Sequence, residues 1–283
     1  MPKLTRRQAL SGTAGALVAT STVAPTLATS SKINFSDPQQ KLDAYVRMRN
    51  RDDGKKSYTR YSGTFFAKIE GEVASPIMGI EGMSWGRCER QPDGSYLYSM
   101  QEAGYHTSLD ARDVIDEWVN PMNGLTVVPA HYRSGQSSVF TPTTVNPILS
   151  QRPDGLEYKG VITPATVIGD TVWCSEDLFV KIPNPRERYE DEREWSGPFR
   201  TSTSLATHMA LLSDLENSES GFVPSTMSYT TINSWRGWMK MGQTPGVISW
   251  RLKGRKFESP DHMDSDDWLL RRIESDHPEL LDV

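Results

Sequence analysis

Residues 76–108 read PIMGIEGMSWGRCERQPDGSYLYSMQEAGYHTS and indicate the fold class more clearly than any other part of the chain. Both arms of this stretch, 76–91 and 95–108, are rich in aromatic and branched side chains, which favour strands. Pro92-Asp93-Gly94 stands between the arms, and such a sequence is typical of a hairpin turn. The stretch therefore predicts two antiparallel strands joined by a tight turn.

The flanking segments extend the same pattern. Residues 134–170 are rich in Ser, Thr, Pro and Gly and are expected to be mostly loop, whereas 204–215 has helical character. The remaining strand-like segments lie near 57–69, 113–119, 125–133, 171–182, 226–235 and 246–257. Successive strands linked by short turns predict an antiparallel meander.

Helices are predicted at the two sequence ends of this meander. Asp37-Pro38-Gln39-Gln40 has the composition of a helix start, and Leu42, Tyr45, Val46 and Arg49 follow at helical spacing. Asp264 is the predicted cap of a closing helix. The expected fold is therefore all-β, or β-rich α+β, with an antiparallel meander closing into a bent sheet or barrel. Closure is expected because it removes exposed strand edges.

The N-terminus has the features of an export signal. Arg6 and Arg7 form an adjacent pair, an apolar stretch runs to about Val23, and small residues follow up to Ala28. Residues 1–28 are therefore predicted to be a twin-arginine signal peptide that engages the twin-arginine translocation machinery. The mature chain, 29–283, is expected to be a single β-barrel-like domain in the periplasm, with no segment long enough to span a membrane.

The charge of the mature chain argues against two classes of partner. The whole chain has a formal charge of -5, and cleavage after Ala28 removes three basic residues and no acidic one, which leaves -8. Nucleic acids and anionic membranes are recognised by basic patches, so neither is expected as a partner. Cys88 and Cys174 are compatible with a periplasmic disulfide or with buried free thiols, and free thiols are favoured.

Acid–base chemistry is one candidate activity. Strict alternation on 95–108 places Tyr96, Tyr98, Met100, Glu102 and His106 on one face, which the aromatic residues mark as the inner face. His131 follows a similar alternation on 125–133. His106, Glu102 and His131 are therefore the candidate catalytic residues of a cofactor-independent isomerase, lyase or hydrolase. The alternative, which is favoured, is that each is a structural residue with satisfied hydrogen bonds.

Two further motifs have weaker support. Residues 82–86, GMSWG, match the G-x-S-x-G motif of serine hydrolases, but the turn at 92–94 leaves no room for the helix that this motif requires. A bent strand explains the glycines better. No metal site is expected, because Glu102 and His106 would lie about 13 Å apart on a strand. No metal or organic cofactor is therefore predicted.

A ligand site is the leading functional hypothesis. Residues 235–242 (WRGWMKMG) have the composition either of the mouth of an apolar site or of a plug at one end of a barrel, and the plug is slightly favoured. The protein is expected to bind an apolar or aromatic small molecule in a barrel cavity, and an envelope scaffold without ligand is a third possibility. The candidate ligand-binding residues are aromatic: Tyr96, Tyr98, Trp118, Trp173, Tyr229, Trp235 and Trp238.

Four segments resemble one bacterial protein family. They read LDAYVRMRNRDDGK, GIEGMSWGRCERQPDGSY, EAGYHTSLDARDVIDEWVNPMNG and WRGWMKMGQTPG. In order and composition they are similar to the bacterial domain of unknown function 1838 family, and the resemblance extends from about Leu42 to Leu281. It implies the extent of the domain and agrees with a twin-arginine signal, but it implies no reaction and no catalytic residues.

Overall fold

Antiparallel strands organise the computed structural model, which describes residues 32–110, 112–150, 153–264 and 267–278. The predicted signal peptide, 1–28, lies outside the described residues. The helices are α1 (Pro38–Arg49), α2 (Leu212–Asn217) and α3 (Trp268–Asp276). The strands are β1 (Ser57–Ile69), β2 (Ser75–Arg90), β3 (Tyr96–Thr107), β4 (Trp118–Val119), β5 (Thr126–Val127), β6 (Tyr132–Phe140), β7 (Val145–Ile148), β8 (Glu157–Ile162), β9 (Thr166–Ile168), β10 (Thr171–Pro183), β11 (Phe199–Leu211), β12 (Thr226–Asn233) and β13 (Gly246–Phe257).

Eleven of these strands form one sheet that nearly closes on itself. Its order is β7-β6-β3-β2-β1-β13-β12-β11-β10-β8, with β9 paired to β10, and all pairs are antiparallel. The two end strands approach each other through a bridge between Thr144 and Val161, and the amide of Ile162 donates to the Thr143 carbonyl at 3.2 Å. The predicted antiparallel, barrel-like fold is confirmed.

Helices α1 and α3 lie at the two sequence ends, as predicted, whereas the short α2 lies between β11 and β12. The Asp37 side chain accepts hydrogen bonds from the amides of Gln39 and Gln40 and so caps α1. The predicted cap of α3 is wrong: the Asp267 carboxylate, not Asp264, accepts from the Leu269 amide. Asp267 directly precedes the first helical residue, which is the position where a side-chain oxygen reaches the free amides.

The described core contains three apolar clusters. The first contains the buried face of α1, including Leu42 and Tyr45, together with Tyr98 and Phe140 from the inner face of the barrel. A second lies within the other end of the barrel and includes Phe65 and Trp250. The third lies outside the sheet, where α3 covers Met83, Trp85 and Tyr105. Helix α1 therefore plugs one end of the barrel, and α3 shields part of its outer wall.

Three predicted segments differ from the structure. The predicted helix 204–215 is wrong over 204–211, which belong to β11 because β10 and β12 pair along this strand, whereas 212–215 do lie in α2. The expected loop 134–170 contains most of β6 and all of β7, β8 and β9. The expected strand near 113–119 reduces to β4, and the one near 125–133 reduces to β5 and the first two residues of β6.

The GMSWG motif lies within the continuous strand β2. Gly82, Ser84 and Gly86 all pair with β3, and no strand-to-helix turn occurs there. The motif is therefore a strand with glycines, and the nucleophile-elbow geometry is absent from this described segment. Cys88 and Cys174 are both buried free thiols. In the described parts of the chain, no helix has the length and apolar character needed to cross a bilayer.

Candidate functional site

A polar layer separates the two apolar clusters inside the barrel. Glu102 on β3 lies opposite Ser134 on β6 and Ser84 on β2, so all three side chains point to the inner face. The Ser134 hydroxyl lies 3.5 Å from a carboxylate oxygen of Glu102. Residues directly opposite on antiparallel strands have neighbouring side chains, so the register itself assembles this layer.

Tyr61 reaches this layer by lying across two glycines. It pairs with Gly82, which in turn pairs with Gly104 on β3. A Cβ atom on Gly82 would lie 2.2 Å from the Tyr61 ring, and one on Gly104 would lie 2.9 Å from its hydroxyl. The Tyr61 hydroxyl donates a hydrogen bond to Glu102. The glycines therefore provide the space through which a tyrosine on β1 contacts a carboxylate on β3.

Glu102 is the residue of this layer whose pKa suggests a chemical role. Burial raises the pKa of its carboxyl to about 7, although the hydrogen bonds from Tyr61 and Ser134 and the positive charge of Arg49 act to lower it. Near neutral pH the carboxyl can therefore either donate or accept a proton, which is the property required of a general acid or base.

Helix α1 contributes the cation of the layer. Arg49, in its last turn, lies 3.3 Å from Glu176 on β10, and its guanidinium stacks over Tyr98 at 4.8 Å. The Tyr45 hydroxyl donates to the same Glu176 carboxylate at 2.5 Å. A helix that plugs the barrel therefore ends in a charged group that faces the polar layer.

Several inward-pointing side chains of the layer are only partly buried. Glu102, Tyr132 and Tyr229 keep accessible surface although their strand positions face the barrel interior. Their partial exposure indicates that this layer is less closely packed than the two apolar clusters beside it. We call the region of the barrel interior bounded by these side chains the barrel chamber: Arg49, Tyr61, Glu102, Tyr132, Ser134 and Tyr229.

Of the three predicted catalytic residues, the structure brings two together. The rings of His106 and His131 lie 6.0 Å apart, and the His106 amide donates to His131 Nδ1 at 3.3 Å. Burial, followed by the nearby His131, lowers the pKa of His106 to about 4. Glu102 lies four residues earlier on β3, about 13 Å along the strand. The carboxylate therefore belongs to the barrel chamber and the histidine pair does not.

The predicted ligand-binding residues fall into separate regions. Tyr96 and Tyr98 are buried in the α1 cluster, where the Tyr96 hydroxyl donates to Asp43 at 3.0 Å. Trp173 lies elsewhere, on the outer side of the sheet, and 40% of it is exposed. The others belong to the opposite end of the barrel: Trp118, Tyr229, Trp235 and Trp238.

Two of the segments that resemble the family pack on each other at that end. The Asn120 side chain donates to the Met239 carbonyl at 2.7 Å, and the Asn123 side chain donates to the Lys240 carbonyl at 2.9 Å. Trp118 and Trp238 meet edge to face at 6.0 Å. Met239 and Met241 are buried in the same cluster. The segment 235–242 therefore has the position of a plug, supported by the turn at 120–124.

A second concave surface lies outside the barrel. It has a volume of about 630 Å³ and is lined by Trp85, Ser99, Gln101 and Ser137 on the outer faces of β2, β3 and β6. The hydroxyls of Ser99 and Ser137 lie 3.2 Å apart within it. We call this surface the outer groove, and it is a competing location for a ligand.

Sequence reasoning did not identify most of the barrel chamber. Arg49 carried a usable signal, since it is a charged residue in the apolar stripe of α1. Tyr61 and Tyr132 carried no usable sequence signal, because their positions in the barrel chamber depend on their neighbours on adjacent strands. Within residues 32–110, 112–150, 153–264 and 267–278, no three His, Cys, Asp or Glu side chains cluster as a metal site would require.

Comparison with known proteins places the chain in a family. The family model described as "Protein of unknown function (DUF1838)" matches residues 54–281, and no curated protein matches. A solved Bacteroides fragilis structure with a YmcC-like fold is similar over 72% of this chain and 96% of its own, at 7% identity and a TM-score of 0.20. Similarity at this level supports no further argument. Because the family model covers most of the sequence, the chain belongs to the DUF1838 family of proteins of unknown function.

Proposed function

We propose that this protein binds an aromatic or otherwise apolar small molecule in the barrel chamber. The observation that carries the proposal is the accessible surface kept by inward-pointing Glu102, Tyr132 and Tyr229. Ligand sites are mostly apolar cavities with a few convergent polar groups that fix orientation. The barrel chamber has this composition, because aromatic clusters lie on both sides of its hydroxyls and charges.

The location is tested by matched substitutions on β6. Ser134→Leu places a larger side chain in the barrel chamber, whereas Ser137→Leu places the same side chain in the outer groove. We expect neutral aromatic probes, such as naphthamide and N-phenylnaphthylamine, to bind the mature protein with a change in Trp fluorescence. Ser134→Leu is expected to weaken that binding at least about tenfold, because it fills the site.

Two results would contradict the proposal. One is that none of the probes binds, measured by calorimetry as well as fluorescence. The other is that Ser137→Leu abolishes binding while Ser134→Leu leaves it intact, which would move the site to the outer groove. Circular dichroism of both variants serves as the folding control.

Enzymatic proton transfer is a second candidate function, and one observation favours it. Glu102 has a pKa of about 7 and accepts a hydrogen bond from Tyr61, so an acid–base pair faces the barrel chamber. The Glu102→Gln variant keeps the shape of the side chain and removes the ionisable proton. The mature protein and this variant would each be incubated with extracted envelope metabolites and compared by mass spectrometry. A product formed only by the wild type supports catalysis, whereas identical spectra support binding alone.

Export to the periplasm forms part of the same proposal. Its support is the Arg6–Arg7 pair followed by an apolar stretch and small residues in the first 28 positions. Replacing both arginines with lysine is expected to retain the precursor in the cytoplasm, because twin-arginine transport reads this pair. Cell fractionation with an antibody to the mature domain measures the outcome. Equal periplasmic amounts of wild type and variant would contradict this route.

A further inference from the structure

A small cavity beside segment 235–242, at the end of the barrel opposite α1, is lined by two arginine residues. Its volume is about 150 Å³, and Arg200 and Arg236 both line it. Ser202 and Asn233, which pair across β11 and β12, supply polar groups to the same wall. This cavity is called the mouth pocket below.

Arg236 is largely enclosed within the barrel end. Its guanidinium lies over the Trp250 ring at 5.3 Å. Burial lowers the pKa of Arg236, and Arg200 lowers it further, whereas Tyr132 and Tyr229 raise it. The two tyrosines line the barrel chamber, so the cation lies between that chamber and the mouth pocket.

Neither arginine has an anionic partner in the described part of the chain. No described residue accepts a hydrogen bond from Arg236 or Arg200 or forms an ion pair with either. The nearby acidic residues are engaged elsewhere, since Asp191 and Glu194 lie 3.0 and 3.9 Å from Lys240. Both guanidinium groups line the mouth pocket, so the pocket presents two cations to a ligand that carries the complementary charge.

A buried donor next to Arg236 lacks an acceptor. The indole nitrogen of Trp250 is buried, and no described protein group accepts its hydrogen bond. Arg236 lies over the same ring, so a buried donor without an acceptor and a cation without an anionic partner occur together. Buried donors are nearly always paired, so the Trp250 indole indicates an acceptor that comes from outside the protein chain.

We infer that the mouth pocket binds the carboxylate of an organic acid whose aromatic or apolar body lies in the barrel chamber. Arginine suits this role because its planar fork matches the geometry of a carboxylate. This inference rests on the proposed function and narrows its ligand class from apolar molecules in general to apolar acids.

The test compares two probes of nearly equal shape that differ in charge. Naphthoate carries the carboxylate, and naphthamide is its neutral counterpart. Calorimetric titration of the mature protein is expected to show naphthoate binding at least about tenfold more tightly, as a charge-assisted hydrogen bond implies. Arg236→Gln is expected to remove this preference and to leave naphthamide binding largely unchanged. Arg236→Lys is expected to keep part of the preference because it keeps the charge.

Two further variants are controls, one for misfolding and the other for a general effect of charge. Arg200→Gln changes an exposed member of the pocket, so it is expected to fold normally and to reduce the preference for naphthoate. Arg251→Gln removes the same charge from the outer face of β13, where the side chain stacks on Phe66, and is expected to leave the preference intact.

The outcomes separate the two proposals. If naphthamide binds but naphthoate has no advantage, or if Arg236→Gln and Arg200→Gln both leave the advantage unchanged, the carboxylate pocket is wrong while chamber binding stands. If neither probe binds, the proposed function fails first. If Arg251→Gln reduces the advantage as much as Arg236→Gln does, the preference reflects overall charge, and the pocket assignment is overturned.

Discussion

The ring of Tyr61 lies directly against Gly82 of the neighbouring strand, so closely that a Cβ atom on that glycine would lie 2.2 Å from the ring. This contact allows the Tyr61 hydroxyl to reach Glu102 on the next strand but one. Gly82 has no unusual backbone conformation. The requirement for glycine is therefore one of space, and it connects a glycine of the GMSWG motif to the barrel chamber.

Replacing Gly82 with alanine is expected to destabilise the fold by about 1–3 kcal/mol, the usual cost of overpacking a core. The measurement is the free energy of unfolding from urea denaturation. Tyr61→Leu removes the ring that the new methyl group would strike. The double variant Gly82→Ala/Tyr61→Leu should therefore lose less stability than the two single variants together. Strict additivity would show that the two residues do not share this space.

The ionisation of Glu102 should make stability depend on pH. Burial raises the pKa of its carboxyl from the usual 4.5 to about 7, so the folded protein holds the proton more tightly than the unfolded chain does. The stabilisation of the folded state by the protonated Glu102 carboxyl is therefore fully present below pH 4.5 and is lost as the pH rises to about 7. This contribution to the free energy of unfolding has an upper limit of roughly 3 kcal/mol.

Glu102→Gln isolates this effect, because every other titrating group is present in both proteins. The free energy of unfolding of the wild type, minus that of the variant, should fall between pH 4.5 and pH 7 and then level off. Denaturation in urea at a series of pH values measures the difference. A difference that stays constant, or that rises with pH, would mean that Glu102 has an ordinary or lowered pKa.

The ion pair between Arg49 and Glu176 should stabilise the docking of α1. Its atoms lie 3.3 Å apart, and only 13% and 5% of the two side chains are exposed. Removing one charge leaves the other buried without a partner, so Arg49→Met or Glu176→Gln is expected to cost about 3–5 kcal/mol. The double variant should cost much less than the two single variants together.

A surface pair provides the comparison for this prediction. Lys181 and Glu157 lie 2.7 Å apart, with 29% and 54% of their side chains exposed. Lys181→Met is expected to change stability by no more than about 1 kcal/mol, since water already solvates both charges. Comparable losses for the Arg49 and Lys181 variants would show that the inner pair is as well hydrated as the outer one.

The sequence predicts the elements that depend on local signals and fails where contacts between distant residues decide the structure. The hairpin β2–β3 and helix α1 are predicted correctly because their signals are local: a Pro-Asp-Gly turn, strand formers and a capping aspartate. Strand β11 is mistaken for a helix because Leu205, Met209 and the alanines have high helix propensity, and pairing with two neighbouring strands overrides it. Strand β6 is missed because its Ser, Gly and Gln residues give no apolar alternation.

The barrel chamber depends even more on contacts that are distant in sequence. Glu102 is found from alternation along β3, which fixes the face of the sheet on which it lies. Its contact with Tyr61 depends on the register of three strands and on the absence of side chains at Gly82 and Gly104. In the sequence, Arg236 is noticeable only as a member of the aromatic segment 235–242. Its lack of an anionic partner can be seen only once the fold places the acidic residues elsewhere.

The cap of α3 provides a final test of how local signals and tertiary contacts combine. Asp267 has two roles: one carboxylate oxygen accepts from the Leu269 amide at 2.9 Å, and the other accepts from the Arg60 guanidinium at 2.9 Å. Asp267→Ala is expected to cost about 1–2 kcal/mol through the cap, with a further loss from Arg60. Asp267→Asn keeps a capping oxygen and loses the charge, so it should cost less.

Asp264→Ala is the matched control, because this aspartate has the helix-start composition but does not cap α3. It should lose clearly less stability than Asp267→Ala in urea denaturation. Helix α3 covers Trp85 on the outside of the sheet, so Asp267→Ala should also change the Trp fluorescence of the folded protein. Equal losses for the two alanine variants would contradict the expectation that the cap at Asp267 adds stability beyond that of Asp264. In that case the Arg60–Asp267 ion pair, rather than the cap, would account for the position of α3.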